Sequence, residues 1–368
     1  MAAVAQTAVA SQAQPLLAVR DLRVAFGHGE GALTAVDGID FDVAPGEVLG
    51  LAGESGSGKS VTLRAILRLV HPPGHVSGRV LWRGRDLLTI PEAELRRVRG
   101  GQIGVIFQEP MTALNPVLTV GMQIRENLHE HTTLDAAGRK ARAIELLDHV
   151  GIPAARSRIE DYPHQFSGGM RQRAMIAIAL ASSPKLLLAD EPTTALDVTI
   201  QDQILKLILR LRRELAMSVM LVTHDLGVIA QTCDRLAIMY AGQVVETGPV
   251  TEIFRRPRHA YTLGLLNSVP RAGVMRQPLA SIPGQPPLLT NLPPGCAFAP
   301  RCSQAIEACR KTMPAAVVIE PGHVACCLRA QPEEVSSQRA ETLSCHTAGL
   351  IGADARPDWS PHTNRPPS

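Results

Sequence analysis

Residues Gly53–Ser60 read G-E-S-G-S-G-K-S and fit the spacing G-x-x-x-x-G-K-[ST] of a phosphate-binding loop. Glycines at 53, 56 and 58 let the backbone turn its N–H groups inward into a cradle that a Cβ would obstruct. A helix starting near Lys59 brings the positive end of its dipole to the same place. Lys59 supplies a mobile charge for β- and γ-phosphates, and the Ser60 hydroxyl is a natural Mg²⁺ ligand. The flanks fit as well: Glu47–Ala52 is strand-like and Val61–Leu67 helix-like. These residues predict a nucleoside triphosphate site.

Further residues of the right types follow. Ile103–Phe107 is a short apolar run ending at Gln108, placed to reach Mg²⁺ or an attacking water. Phe166-Ser167-Gly168-Gly169-Met170 opens a helical stretch, so bare N–H groups form either a second anion site or a simple start capped by Ser167. Leu186–Ala189 is unbroken apolar and ends in Asp190-Glu191, which fits a parallel strand covered on both faces. Asp190 is placed to hold Mg²⁺ through water, and Glu191 to polarise an attacking water. Val219–Thr223 ends at His224, a strand-end position that favours an active-site histidine. Phe26, at the end of an alternating strand, either stacks on a base or packs the core.

Strands that alternate with helices and end in polar groups predict a parallel α/β sheet with its ligand at the carboxyl edge. Alternation at Leu22, Val24 and Phe26, and again at Ile39, Phe41 and Val43, predicts half-buried strands before the phosphate loop. Residues from about 117 to 162 read as helical, with Gly151 as a stop. The stripe Ile204, Ile208, Leu211 and Leu215 reads as core packing. Seven prolines between Pro278 and Pro300 mark a linker, and residues 331–368 read as disordered.

The whole chain sets limits. Its 368 residues allow one large core and a smaller appendage. A net charge of +3 gives no argument for nucleic acid, and no apolar run reaches the length of a membrane span. No charge precedes Arg20, so residues 1–14 read as an Ala-rich tail rather than a signal peptide, which predicts a cytoplasmic, reducing setting. There, seven cysteines point to metal chemistry or free thiols.

With these pieces in one order, the chain resembles the ATP-binding subunit of an ATP-binding-cassette (ABC) transporter. The resemblance covers about Leu16 to Leu328 and departs slightly at Phe166 and Met170, where leucine and glutamine are usual. Gly53–Ser60, Phe107–Pro116, Tyr162–Arg173 and Pro294–Cys302 are similar to the dipeptide/oligopeptide uptake branch. It implies a P-loop NTPase fold: a RecA-like core over 15–255 with an antiparallel β subdomain, and a helical signature subdomain at about 113–170. A Cys-containing extension follows over 256–330. Implied ATP contacts are Phe26, Gly53, Glu54, Ser55, Gly56, Ser57, Gly58, Lys59, Ser60, Val61 and Gln108, with Mg²⁺ at Ser60, Gln108 and Asp190. Glu191, His224, Gln108 and Lys59 are the implied catalytic set. Ser167, Gly168, Gly169 and Asp197 are implied to act on nucleotide shared head to tail with a second, non-identical ATPase. The other implied partners are two membrane-spanning permeases and, indirectly, an extracytoplasmic solute-binding protein. The implied place is the cytoplasmic face of the bacterial inner membrane. Nickel or another small solute is the alternative cargo. A soluble ATPase acting on nucleic acid or ribosomes would call for tandem cassettes, a coiled-coil insertion or a basic face, and the sequence has none.

The extension holds Cys296, Cys302, Cys309 and Cys326 at the spacing C-x5-C-x6-C-x16-C, without the paired knuckles common at zinc sites. A Pro-rich segment with little apolar material calls for a staple, so a [4Fe–4S] cluster, zinc and free thiols are the readings. The resemblance implies the cluster, and favours Cys326 over its neighbour Cys327 as the fourth ligand.

Overall fold

The computed structural model describes residues 14–27, 29, 32–194, 196–268 and 281–330. The expected tails, Cys345 and Ala195 of the Thr194–Asp197 loop lie outside the described residues, apart from Gln14.

Among the described residues, twelve strands form two sheets. In chain order they are β1 Leu17–Phe26, β2 Leu33–Val43, β3 Val48–Ala52, β4 Gly74–Trp82, β5 Arg85–Asp86 and β6 Ile103–Ile106. There follow β7 Leu186–Asp190, β8 Ser218–Val222, β9 Arg235–Tyr240, β10 Gln243–Pro249, β11 Val317–Glu320 and β12 His323–Ala325. The smaller sheet, in the order β2-β1-β4-β5, is antiparallel throughout. The larger runs β11-β12-β10-β9-β3-β8-β7-β6, and its strands from β9 to β6 are parallel.

That order positions the site. Every residue of β3, β7 and β8 is buried, as expected for parallel strands covered on both faces. Register aligns Leu51 with Val222, Val222 with Asp190, and Ala189 with Ile106. The carboxyl ends of four adjacent strands therefore present the phosphate loop, His224, Asp190-Glu191 and Gln108 side by side.

Helices Val120–His131 and Ala136–His149 form the helical arm, and helix Gly168–Leu180 packs against it and against β6. Thr119, Asp135, Ser167, Asp197 and Asp225 each cap a helix by accepting a backbone N–H, a contribution of about 1 kcal/mol apiece. The stripe on helix Val198–Glu214 is buried at Ile204, Ile208 and Leu211.

The structure departs from expectation at the extension. β12 pairs with β10, Glu246 facing Ala325, so the large sheet continues into the extension. Phe298, Ala297 and Tyr261 of the extension share one core with Ala52, Leu236, Ile238 and Tyr240 of the ATPase fold. The segment that seemed too poor in apolar residues for its own core is packed on its neighbour's.

Candidate active site

Between β3 and the helix Lys59–Ile66 the phosphate loop makes two turns that require glycine. Gly53 has φ +154° and a Cβ there would meet the Met239 carbonyl oxygen at 2.2 Å; Gly58 has φ +103° and a Cβ would meet that of Ala35 at 2.5 Å. Lys59 is buried and its Nζ donates to the carbonyls of Gly53 (2.8 Å) and Glu54 (2.9 Å). Burial pushes its ammonium below the ordinary lysine value, opposed by the carboxylates of Glu191, Asp190 and Glu54.

Ser60 Oγ donates to Asp190 Oδ1 at 3.0 Å, joining two of the three expected Mg²⁺ ligands, while Gln108 reaches Glu191 instead. Burial raises the Asp190 pKa, and the Ser60 hydrogen bond opposes the shift. Both groups offer the hard oxygen that Mg²⁺ prefers. Glu191 sits just past the end of β7 with φ 45°, a left-handed conformation that costs a non-glycine residue about 1–2 kcal/mol. Its Oε2 accepts from Thr194 Oγ1 at 2.7 Å and Gln108 Nε2 at 3.3 Å, and lies 3.4 Å from His224 Nδ1. Strain of this kind collects at working sites. Gln108 and His224 thus converge on the carboxylate expected to act as base.

Glu54, expected as a phosphate contact, is also held from the extension. Its N–H donates to Tyr261 Oη at 2.8 Å, and its carboxylate takes a two-pronged ion pair from Arg301 at 2.6 and 3.0 Å. Tyr261 and Arg301 both belong to the extension and stand far along the chain from the loop, so no local pattern signals their role. Phe26 is half-buried and packs with the core of the small sheet, close to Gly74. Ser167 accepts from Met170 N at 3.4 Å as the cap of its helix, and Gly169 faces Ile200. Among the described residues no hydrogen bond joins Ser167–Gly169 to the phosphate loop of this chain. Asp197 caps the neighbouring helix by accepting from Ile200 N.

Cys296, Cys302, Cys309 and Cys327 line one cavity with His259 and Phe298. Cys326, the expected fourth ligand, does not line it: its thiol donates to the Val244 carbonyl at 3.6 Å. The reason is the pleat. Cys326 N donates to Val245 O, so the extended backbone continues past β12, and successive side chains point to opposite sides. Burial pushes the Cys296 thiol up to about 11, and raises those of Cys326 and Cys327 as well. Among the described residues no three His, Cys, Asp or Glu side chains are grouped closely enough for a single metal ion.

Residues 36–194 match the ABC transporter family. A "Putative peptide import ATP-binding protein" of Brucella melitensis is 50% identical over 331 residues, covering 86% of this chain and 98% of the relative. This chain belongs to the ABC transporter family. Residues 245–309 of this ABC protein match the oligopeptide/dipeptide transporter C-terminal region, a match that begins inside β10, where the sheet passes into the extension. The "Oligopeptide transport ATP-binding protein OppD" of Bacillus subtilis is 53% identical over 295 residues, with coverage of 79% and 82%. Among solved structures, the dimeric ATP-binding cassette MJ0796 bound to ADP and Pi superposes with a TM-score of 0.57 at 29% identity, over 64% of this chain and 98% of the other. CbiO1 of Clostridium perfringens gives 0.56 at 26% identity, with coverage of 66% and 91%.

Proposed function

We propose that this chain is the ATP-hydrolysing subunit of an importer of di- and oligopeptides. The observation that carries the reading is one sheet joining two parts. Its parallel strand ends hold Lys59, Asp190, Glu191, Gln108 and His224, and its antiparallel edge holds the oligopeptide-type extension. The names of the relatives support peptides as cargo.

Lys59 binds the β- and γ-phosphates, and Glu191 takes the proton from the attacking water. His224 and Gln108, both beside Glu191 Oε2, orient that water and the γ-phosphate. Ser60 and Asp190 would hold Mg²⁺, which neutralises charge on the phosphates when bound, with Gln108 beside it. Ser167, Gly168, Gly169 and Asp197 act on nucleotide held by a second ATPase subunit of similar fold. Phe107, Met111, Val117 and Met122, in the stretch of chain on either side of Gln108 and after it, are exposed apolar residues suited to contact permease subunits. Gln108 then links that stretch to Glu191 through one hydrogen bond. No helix among the described residues is long and apolar enough to cross a membrane, and peripheral attachment at the cytoplasmic face fits these exposed residues. The four thiols at 296, 302, 309 and 327 line one cavity and would be the ligands of a [4Fe–4S] cluster, which when bound would brace the extension.

The test is reconstitution of the chain with its permeases and binding protein in vesicles. ATP-driven uptake of peptides is expected. Glu191→Gln should cut hydrolysis by about 10²–10⁴-fold while ATP still binds. Hydrolysis at the parent rate would remove Glu191 from its role, and uptake of nickel ions but not peptides would overturn the cargo.

A further inference from the structure

Glu54 places a negative charge inside a loop that must receive a triphosphate, an arrangement that opposes binding unless the charge is cancelled. The structure cancels it from the extension. Arg301 is only 5% exposed and meets both Glu54 carboxylate oxygens in a fork. The guanidinium is itself fixed on its other sides: Nε donates to Pro283 O at 2.9 Å, Nη1 lies 3.4 Å from Tyr240 Oη, and the group sits 5.9 Å from the Tyr240 ring centroid. The hydrogen bonds to Glu54 hold the Arg301 charge more firmly than in an ordinary arginine, against burial. Two more contacts hold the Glu54 backbone: Tyr261 Oη accepts its N–H, and its carbonyl accepts from Lys59 Nζ. One residue of the phosphate loop is thus held at side chain, N–H and carbonyl. Two of the three holds come from the extension and the third from the lysine that binds phosphate.

We propose that Arg301 is a positioning residue for nucleotide binding. It neutralises Glu54 and fixes the loop, so that the C-terminal extension sets the affinity of the phosphate loop for ATP. The proposal rests on Gly53–Ser60 being the phosphate loop. It goes further by giving a nucleotide-site role to a part of the chain that otherwise reads as an appendage. Arg301 ends the short turn Ala299–Arg301, which lies between Cys296 and Cys302, so whatever orders those thiols also orders the clamp.

The experiment is titration of the full chain with a fluorescent ATP analogue and Mg²⁺. Arg301→Met should raise the Kd about tenfold, the effect of one uncancelled charge near the phosphates. Adding Glu54→Gln to Arg301→Met should restore affinity to within about threefold of the parent, although the ion pair is still missing. Arg301→Lys, which keeps the charge but loses the fork, should bind more tightly than Arg301→Met and less tightly than the parent. A purely structural role predicts instead that the double variant binds as weakly as Arg301→Met. Parent-like binding by Arg301→Met, or no recovery in the double variant, overturns the proposal. A chain that folds with Arg301→Met only when Glu54→Gln is present supports the charge argument, and one that folds in neither background counts against it. Lys59→Ala separates the two readings: undiminished binding in that variant would show that the loop assignment itself has failed.

Discussion

Replacing Phe298 with alanine tests whether the extension and the ATPase fold are one cooperative body. Phe298 is 4% exposed and its ring lies 5.3 Å from those of both Tyr240 and Tyr261, edge-on to the first. Tyr240 ends β9, which pairs with β3, the strand that leads into the phosphate loop. Phe298→Ala removes a ring from a close-packed core, at a cost of about 3–5 kcal/mol. Each aromatic contact accounts for about 0.5–1.5 kcal/mol of that loss. With a urea slope of about 3 kcal/mol/M, the midpoint should fall by roughly 1 M or more.

The assay is urea unfolding of the full chain followed by Trp82 fluorescence. Trp82 is 3% exposed, lies on β4 of the small sheet and belongs to a different core cluster from Phe298. The other tryptophan, Trp359, is outside the described residues and is removed by Trp359→Phe. A shared core requires the Trp82 transition to move with the substitution, because the sheet cannot lose its β10–β12 end independently. If the Trp82 midpoint stays in place while circular dichroism shows a separate early transition, the extension is an independent unit and the shared-core argument fails.

The remaining predictions concern the two sites. Lys59→Ala should lose ATP affinity as well as turnover, whereas exposed His224→Ala should lose mainly turnover; equal loss of nucleotide-analogue binding in both would erase that distinction. After anaerobic purification, Cys327→Ser should lower bound iron and sulfide while Cys326→Ser leaves them near the parent level. The reverse pattern would return the fourth ligand to Cys326.

The strand-end residues were legible because each closes an unbroken apolar run. Such a run, four or five residues long and followed at once by polar or turn residues, suits a strand covered on both faces, and parallel strands put their carboxyl ends together. Asp190, Glu191, His224 and Gln108 therefore followed from position as well as type. β4 and β5 were not legible: β4 carries His75, Ser77 and Arg79 among its apolar residues, and β5 is two residues long. Nor was the pair β11–β12, since three or four residues give too little alternation to count.

What escaped the sequence most completely depends on contacts between distant residues. Arg301 and Glu54 are 247 positions apart, and neither residue type signals the other. Composition was misleading here: a Pro-rich stretch reads as a linker, yet Phe298 and Ala297 lie within it and fill a core begun by β9. The choice between Cys326 and Cys327 turned on the register of β12 against β10. Glu246 pairs with Ala325, which sends the next thiol toward Val244 and the one after it into the cavity. A shift of one residue in that register would reverse the two cysteines. The same pairing ties down Glu246, which accepts from Arg258 N and His259 N and meets His323 Nε2 at 2.8 Å with both side chains fully buried. Slippage would strand that carboxylate in a dry site, so the buried Glu246 network is what makes Cys327 the cysteine that faces the other three.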